Sequence, residues 1–175
     1  MRSLFTLGMV CTLVLTAGAQ GQSPTPGPEH KRLEVFVGNW TFQGEAKAAP
    51  GQPAGKITGT DRNQLVGGFF LDRQVDETGP MGKVTGRMMI GYDPVKKTYI
   101  TSGFDSTGTY DSGTVTLSGN TWTFLTSGFA GGQAMQSRCR VPLAPGNTAF
   151  TVTCEVSTDG KTWAPSFEGR WTKSR

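Results

Sequence analysis

Residues 29–42 have the sequence EHKRLEVFVGNWTF, in which a short charged segment directly precedes a glycine and a tryptophan. Leu33 and Phe36 fall three residues apart, and Pro28 stands where a first helical turn would begin. We therefore expect one short amphipathic helix from about Pro28 to Phe36. From Trp40 onward no helical period is visible and strand patterns begin. This stretch thus marks the change from a short helix to a sheet.

The rest of the chain alternates between strand patterns and turn residues. Turn signals recur at hairpin spacing, among them Pro50-Gly51-Gln52-Pro53, Gly67-Gly68, Gly79-Pro80, Asp93-Pro94, Ser118-Gly119-Asn120, Pro145-Gly146-Asn147 and Asp159-Gly160. Roughly ten strands result. An antiparallel meander of that length either splits into two sheets or closes on itself, and closure removes its exposed edges. We predict an all-β fold: an up-and-down antiparallel barrel of about ten strands with one short N-terminal helix.

Alternation along the strands predicts which side chains face the interior. Asp72, Gln74 and Asp76 should point to water, which turns Arg73 to the opposite face of the same strand. On the other strands, alternation gives an interior rich in aromatic and methionine side chains. The residues that we expect to face a ligand are Arg73, Met88, Ile90, Tyr92, Gly103, Asp105, Trp122, Phe124, Met135, Trp163 and Phe167.

Barrels of eight or more strands can enclose a ligand-sized space, whereas smaller barrels are filled by their own side chains. The strand count therefore permits a pocket, and the large aromatics equally permit a filled core. Arg73 and Asp105 are two charged residues on inward-facing positions. A buried charge needs a partner, so the two residues form a structural ion pair or provide polar contacts for a ligand. We favour the structural pair, or an arginine whose head reaches the barrel mouth.

Cys139 and Cys154 are the cysteines that remain once the N-terminal segment with Cys11 is removed. A hairpin centred between Gly146 and Asn147 would place them directly opposite each other. In an oxidising compartment this pairing predicts a disulfide. If the pair stays reduced, both residues pack as small apolar side chains within the sheet.

The N-terminus has the pattern of a secretory signal peptide over residues 1–19: Arg2, an apolar run from Leu4 to Leu15, and a small-residue cleavage site. A membrane-spanning helix would need about 20 apolar residues, and this run is shorter. Residues 20–28 are a Pro/Gly/Ser-rich flexible tether, and residues 29–175 form the barrel domain. We expect a secreted or periplasmic protein without a membrane span after cleavage.

Charge gives little indication of a macromolecular partner. Removal of Arg2 lowers the formal net charge from +4 to +3, and the remaining Lys and Arg residues are scattered. Nucleic-acid binding needs a basic face or stripe, so we expect no nucleic-acid partner. The oligomeric state is not readable from the sequence.

Candidate catalytic and metal-binding residues are few. His30 is the only histidine. Glu34 would lie one helical turn away, a spacing that two metal ligands can share, but no second histidine completes a site. We expect no metal, and we assign His30 a hydrogen bond at the helix start. The chain has no Gly-x-Ser-x-Gly motif and no phosphate-binding glycine loop leading into a helix, so we expect no enzymatic activity.

Gly38-x-Trp40 after a short segment resembles the lipocalin and calycin barrels, in which the tryptophan closes the barrel floor. A longer series is more specific: His30-x-x-Leu33-x-x-x-x-Gly38-x-Trp40, Gly67-Gly68-x-Phe70-Leu71, Gly91-Tyr92-Asp93, Phe104-Asp105-Ser106 and Asp159-Gly160. Together these motifs resemble the bacterial family catalogued as domain of unknown function 1579. The resemblance covers about residues 29–173. It implies a calycin-like barrel with Trp40, Trp171 and Lys173 at its floor, and it brings no established activity.

One departure from that family concerns the interior. Gly103 stands where family members often have a tryptophan, two residues before Asp105, so the resemblance implies a gap or a more open lumen there. Haem-binding nitrobindin-type barrels carry their axial histidine near the C-terminus, where this chain has none, and we expect no cofactor. We predict an exported lipocalin-like protein that binds a small hydrophobic molecule. The alternative is a structural or interaction module of the cell envelope without a ligand.

Overall fold

Turns rich in glycine and proline separate ten strands in the computed structural model, which describes residues 24–174 of the chain. The strands are β1 (Gly38–Ala46), β2 (Gly55–Val66), β3 (Phe70–Gly79), β4 (Gly82–Asp93), β5 (Thr98–Asp105), β6 (Tyr110–Ser118), β7 (Thr121–Ala130), β8 (Gln133–Pro142), β9 (Ala149–Ser157) and β10 (Ala164–Lys173). Each strand pairs antiparallel with its neighbours in sequence, and β1 also pairs with β10, so the sheet closes. The predicted barrel is confirmed.

The predicted N-terminal helix is also present, in two parts. Helix α1 spans Pro28–Lys31, and a 3₁₀ turn continues it over Arg32–Phe36. The backbone carbonyl of Phe36, at the end of that turn, accepts hydrogen bonds from Trp40 Nε1 at 2.8 Å and from Asn63 Nδ2 at 3.0 Å. Because the end of a helix leaves carbonyl groups without backbone partners, these bonds fasten the segment to the barrel.

This helical segment closes one end of the barrel, which we call the floor. Leu33 and Phe36 are buried there. Trp40 is fully buried in β1 and lies opposite Lys173 of β10, whose ammonium group is 5.3 Å from the centre of the indole ring. Trp171 comes two residues before Lys173 in β10 and lies opposite Phe42. Trp40, Trp171 and Lys173, which the family resemblance assigns to the floor, therefore all lie where β1 pairs with β10.

The β8–β9 hairpin has the register that the sequence predicts. Cys139 lies opposite Cys154, and the two form a disulfide with an S–S distance of 2.07 Å. Leu143 lies opposite Phe150 in the same register. The predicted disulfide is confirmed.

Asp72 departs from the expectation that it points to water. Its side chain is on the outer face of β3 but 0% exposed, because Arg87 lies across it with contacts of 2.7 and 2.8 Å. The amides of Gln64 and Gln74 also donate to this carboxylate, at 3.4 and 3.1 Å. The hydrogen bond from Arg87 holds the pKa of Asp72 below its usual range. Asp72 is therefore a structural residue of the outer wall.

The segment before the helix contacts the barrel. A Cβ added at Gly68, in the β2–β3 turn, would lie 2.6 Å from Cγ of Pro26, so the proline ring packs against that turn. The predicted signal peptide and the first residues of the predicted tether, up to residue 23, lie outside the described residues. Within residues 24–174, no helix has the length and hydrophobicity needed to cross a membrane.

Candidate functional site

The barrel encloses a cavity of about 290 Å³, and inward-facing residues of nearly every strand line it. Most of its wall is apolar: Phe36, Phe42, Ile57, Leu71, Met88, Ile90, Phe124, Val141, Phe150, Val152, Phe167 and Trp171. A smaller space of about 140 Å³ adjoins it at the open end, the mouth, between the β1–β2 and β3–β4 loops. Both spaces border Gln52, Ile57 and Glu77, so the cavity lies behind the mouth.

The aromatic wall is built around Trp171. Its indole stacks on Phe42 at 4.5 Å between ring centres and on Phe150 at 5.4 Å, with interplanar angles of 15° and 9°. Phe167 lies beside this stack, over the backbone of two paired glycines. A Cβ at Gly44 or Gly169 would meet its ring at 2.5 or 2.6 Å, so only glycine leaves room for this ring position.

A buried ion pair crosses the cavity wall. Arg73 Nε donates to Asp61 Oδ2 at 2.8 Å, and Nη2 donates to Oδ1 at 3.1 Å. Trp171 Nε1 donates to the same Oδ2 at 2.8 Å. The Asp61 side chain is 1% exposed and that of Arg73 is 26% exposed. The bidentate geometry and the third donor satisfy the carboxylate inside the barrel.

This pair corrects the expected partner of Arg73. In the β2–β3 register Asp61 lies opposite Val75, one diagonal step from Arg73 on the same inner face. Asp105 instead accepts a hydrogen bond from the backbone N–H of Thr107 at 2.8 Å and stabilises the β5–β6 turn. Arg73 of β3 therefore pairs with Asp61 on the adjacent strand β2, and not with Asp105 on β5.

Two further carboxyl groups line the cavity, Glu77 and Asp111. Burial raises the pKa of Glu77, nearby Asp105 and Asp61 add to this effect, and Arg73 opposes it. Burial likewise raises the pKa of Asp111, although the Thr126 hydroxyl donates to its Oδ2 at 2.7 Å. Among the described residues, no ion pair or side-chain hydrogen bond reaches Glu77. Both groups are therefore less stable in their charged form than they would be in water.

One residue at the deep end of the cavity has an acceptor without a donor. Asn63 is 4% exposed and lines the cavity beside the floor. Its Nδ2 is bound to the Phe36 carbonyl, while its Oδ1 is buried with no hydrogen-bond partner in the described part of the chain. Buried polar atoms are normally paired, but less than 1 Å² of this oxygen is accessible, so it is enclosed by the floor packing and does not face the cavity.

The sequence prediction missed seven polar residues of the cavity: Gln52, Asp61, Asn63, Glu77, Asp111, Thr126 and Ser137. Asp61 and Asn63 share the strand face of buried Ile57, and strict alternation from Ile57 would have found them. Asp111 and Glu77 likewise occupy inward positions, on β6 and β3. The prediction favoured apolar inward residues and therefore left them out.

Five of the residues predicted to face a ligand do line the cavity: Arg73, Met88, Ile90, Phe124 and Phe167. Tyr92 and Trp122 instead pack in the floor, each about 5 Å from Tyr99 between ring centres. Asp105 and Met135 border the space at the mouth.

Two predicted positions are corrected. Gly103 is buried but opens no gap, because Asp111 Oδ1 lies 3.2 Å and Met88 Cβ 3.7 Å from where its Cβ would be. Trp163 lies outside the cavity, with the Arg138 guanidinium 4.4 Å from its ring centre. The register of β10 shifts between Pro165 and Phe167. This bulge reverses the alternation, so Trp163 does not share the face of Phe167.

His30 has a packing role at the floor. Its Nδ1 accepts a hydrogen bond from the backbone N–H of Gly27 at 3.0 Å. Its ring meets Phe69 and Tyr92 edge-on, at 5.0 and 5.8 Å between centres. The histidine therefore ties the start of α1 to the barrel end.

A closed up-and-down barrel of ten antiparallel strands around an interior cavity defines a lipocalin-like barrel. The family described as "Protein of unknown function (DUF1579)" matches residues 25–173, and the chain belongs to this family. The resemblance drawn from the sequence motifs is thereby confirmed. No curated protein is significantly similar to the chain.

Several solved structures are similar to the chain. Rv2717c from M. tuberculosis is 14% identical with a TM-score of 0.60, and the match covers 86% of this chain and 99% of that one. A de novo designed fluorescence-activating β-barrel is 15% identical with a TM-score of 0.45, covering 81% and 95%. The designed barrel EF1p2_mFAP2b, bound to DFHBI, is 10% identical with a TM-score of 0.48, covering 83% and 98%. At 14% identity the likeness to Rv2717c concerns the fold alone.

Replacing Asp61 with asparagine should lower the free energy of unfolding by about 3 kcal/mol, because Arg73 then keeps an uncompensated charge inside the barrel. Urea unfolding followed by tryptophan fluorescence measures this loss. Asp76→Asn, on the outer face of β3, is the control and should change stability by less than about 0.5 kcal/mol. Equal effects of the two substitutions would contradict a stabilising role for the ion pair.

Replacing Glu77 with glutamine should raise Tm by about 2 °C near pH 8. The pKa of Glu77 is raised by burial, so above that pKa the ionised form costs stability that a neutral amide does not. The gain should shrink as the pH falls, and vanish near pH 3, where the carboxyl group is protonated in folded and unfolded chains alike. Thermal unfolding scans at both pH values test this, and a lower Tm near pH 8 would contradict it.

Proposed function

We propose that this chain is an exported lipocalin-like protein that binds a small, largely apolar molecule inside its barrel. The observation that carries the proposal is the cavity of about 290 Å³ behind the mouth, which the chain's own aromatics border but do not fill. Small-molecule sites typically combine apolar walls with a few fixed polar groups. The Trp171 stack and the Asp61–Arg73 pair supply these two components.

The two ends of the barrel support one direction of entry. The floor is closed by α1, the 3₁₀ turn and Trp40. At the mouth, Gln52 in the β1–β2 loop donates to the Ser166 carbonyl at 3.0 Å, and Gly51 lies against Gly131 of the β7–β8 turn. The backbone N–H of Lys47 donates to the same Ser166 carbonyl at 2.8 Å, so this loop is fastened to β10 at both places. A ligand would enter past this loop.

Two features support export. Residues 1–19 have the pattern of a secretory signal peptide. The Cys139–Cys154 disulfide is typical of proteins outside the reducing cytoplasm. We infer a periplasmic or secreted location from the two together.

The proposal is one of binding without catalysis. His30 is engaged by Gly27 and two aromatic rings, and Asp61 is held by Arg73 and Trp171. General acid–base chemistry needs a titratable group within reach of a positioned reacting atom. Asp111 has a hydroxyl beside it, but Thr126 is only 4% exposed and donates its proton to that carboxyl group.

The alternative is a structural or interaction module of the cell envelope, whose interior is filled by its own side chains. The cavity favours the binding hypothesis over this one, because a module without a ligand gains stability from a filled core.

Cleavage of the signal peptide is directly measurable. Protein recovered from the periplasm or culture medium should begin at Gln20, because the small-residue pattern ends at Ala19. Intact-mass spectrometry of the secreted fraction checks this. Full-length chain confined to the cytoplasm would contradict export.

The neutral fluorescent probe N-phenyl-1-naphthylamine should bind saturably with one site per chain. Val152→Phe, which adds a ring to the cavity wall, should weaken binding about tenfold by occupying the space. Thr153→Phe is the matched control, since its exposed side chain is the next one along β9 and should leave affinity unchanged. Fluorescence titration measures both.

Absence of saturable binding, or equal effects of the two phenylalanine substitutions, would contradict a site in the cavity. Thermal unfolding of each variant shows whether it is folded. Native mass spectrometry of protein purified from its own host then identifies any molecule that copurifies.

A further inference from the structure

Three adjacent strands, β5, β6 and β7, have no charged side chain on their outer face. The outward positions, which alternate with buried Tyr99, Val115 and Trp122, hold only Ile, Leu, Phe, Tyr, Ser and Thr. Each of the other seven strands has at least one charged residue at an outward position, such as Lys56 on β2 and Arg170 on β10. We call the outward residues of 98–104, 110–118 and 121–129 the uncharged face.

A row of aromatic rings crosses this face. Phe104 of β5 lies opposite Tyr110 of β6, and Tyr110 lies opposite Phe129 of β7, with 6.0 Å between the last two ring centres. Ile100 and Leu125 lie on either side of the middle strand. All five side chains are exposed, from 38% for Ile100 to 61% for Phe104. Cross-strand contacts among them stabilise the sheet, but these contacts would persist with the outer surface covered and do not explain its exposure.

The polar groups of the uncharged face are complementary to copies of themselves. Apart from the aromatic and aliphatic residues, every outward side chain is a Ser or Thr hydroxyl, which both donates and accepts. An ammonium group only donates and a carboxylate only accepts, so neither can pair with its own copy. Two such faces can therefore pack together without burying a charge or bringing like charges together. Recognition of a different protein commonly uses complementary charges, which this face does not have.

Two arginine residues flank the face and are paired within the chain. Arg87, on the adjacent strand β4, binds Asp72 at 2.7 Å, and Arg138, on the adjacent strand β8, binds Glu155 at 2.6 Å. A partner need not supply a countercharge for either arginine. An uncharged, aromatic centre with polar residues around it is the usual composition of a protein interface.

The area of the face fits a weak dimer. At about 200 Å² for a fully exposed aromatic side chain, the three rings leave about 300 Å² of surface in water. The other outward residues add about 400 Å² at the roughly 35 Å² that an interface residue contributes on average. The sum approaches the roughly 800 Å² that a standard interface takes from each partner, and the convex barrel wall keeps some of it out of contact.

We propose that the uncharged face is the interface of a homodimer, in which two copies pack face to face about a two-fold axis. The contact is one of aromatic rings and hydroxyl groups, with the ion-paired arginines at its rim. Its area gives a dissociation constant on the order of 10 µM. The inference does not depend on what the cavity binds.

Sedimentation velocity over a range of protein concentrations tests the proposal. The purified protein should change from monomer to dimer between about 1 and 200 µM, around the expected dissociation constant. A monomer mass that stays constant over this whole range would overturn the dimer.

Charges placed at the centre of the face locate the contact. Thr114 is exposed on the middle strand, between Ile100 and Leu125. Thr114→Glu and Thr114→Arg should each weaken self-association at least tenfold, because like charges then meet near the axis. An equimolar mixture of the two variants should associate about as tightly as the unchanged protein, because opposite charges then meet.

Thr41→Glu and Thr41→Arg are the matched controls. Thr41 is exposed on β1, five strands from β6 in either direction around the barrel, so both variants should associate normally. Thermal unfolding shows that each variant is folded. If the Thr41 variants weaken association as much as those at Thr114, or if mixing the Thr114 variants restores nothing, the two-fold contact through this face is overturned. Probe binding in the cavity is measured separately, so either proposal can fail while the other stands.

Discussion

Seven residues of β1 lie opposite seven residues of β10, from the Trp40–Lys173 pair to the Ala46–Phe167 pair. This pairing closes the meander and leaves no strand edge exposed. It also gives the inward side chains of all ten strands one common interior. The stack of Phe42 on Trp171 and the cation–π contact of Lys173 with Trp40 lie along this seam. Without closure there would be no enclosed volume and no floor for the helical segment to seal.

Closure also determines how the charges inside the barrel are arranged. Trp171 on β10 donates to Asp61 on β2, and Asp61 in turn holds Arg73 on β3, so one network joins both sides of β1. This network satisfies the deep carboxylate and leaves those nearer the mouth with weaker compensation. Buried groups with displaced pKa values are common where proteins bind or react. The interior thus has a side wall whose charges are paired and, nearer the mouth, carboxyl groups whose charged form is disfavoured by burial.

Local patterns predicted much of this structure correctly. The position of Pro28 and the spacing of Leu33 and Phe36 predicted the helical segment, and the turn at Pro145-Gly146-Asn147 set the register of the cysteine pair. Trp163 was misplaced because a bulge near Pro165 reverses the alternation. Pro165 itself was the signal, since proline within a sheet is confined to edge strands, strand starts and bulges. Asp72 was misplaced because its burial depends on Arg87, which comes from another strand.

The sequence by itself determined the strand count and the register of the β8–β9 hairpin, because turns and alternation act over a few neighbouring residues. Its motifs also indicated the family and, through that resemblance, the floor tryptophan. Only the tertiary structure decided that the lumen stays partly empty, that Asp61 rather than Asp105 pairs with Arg73, and that Asn63 Oδ1 has no donor among the described residues. These features depend on side chains from distant strands meeting across a closed sheet, and their relative positions exist only once the two ends of the sheet have joined.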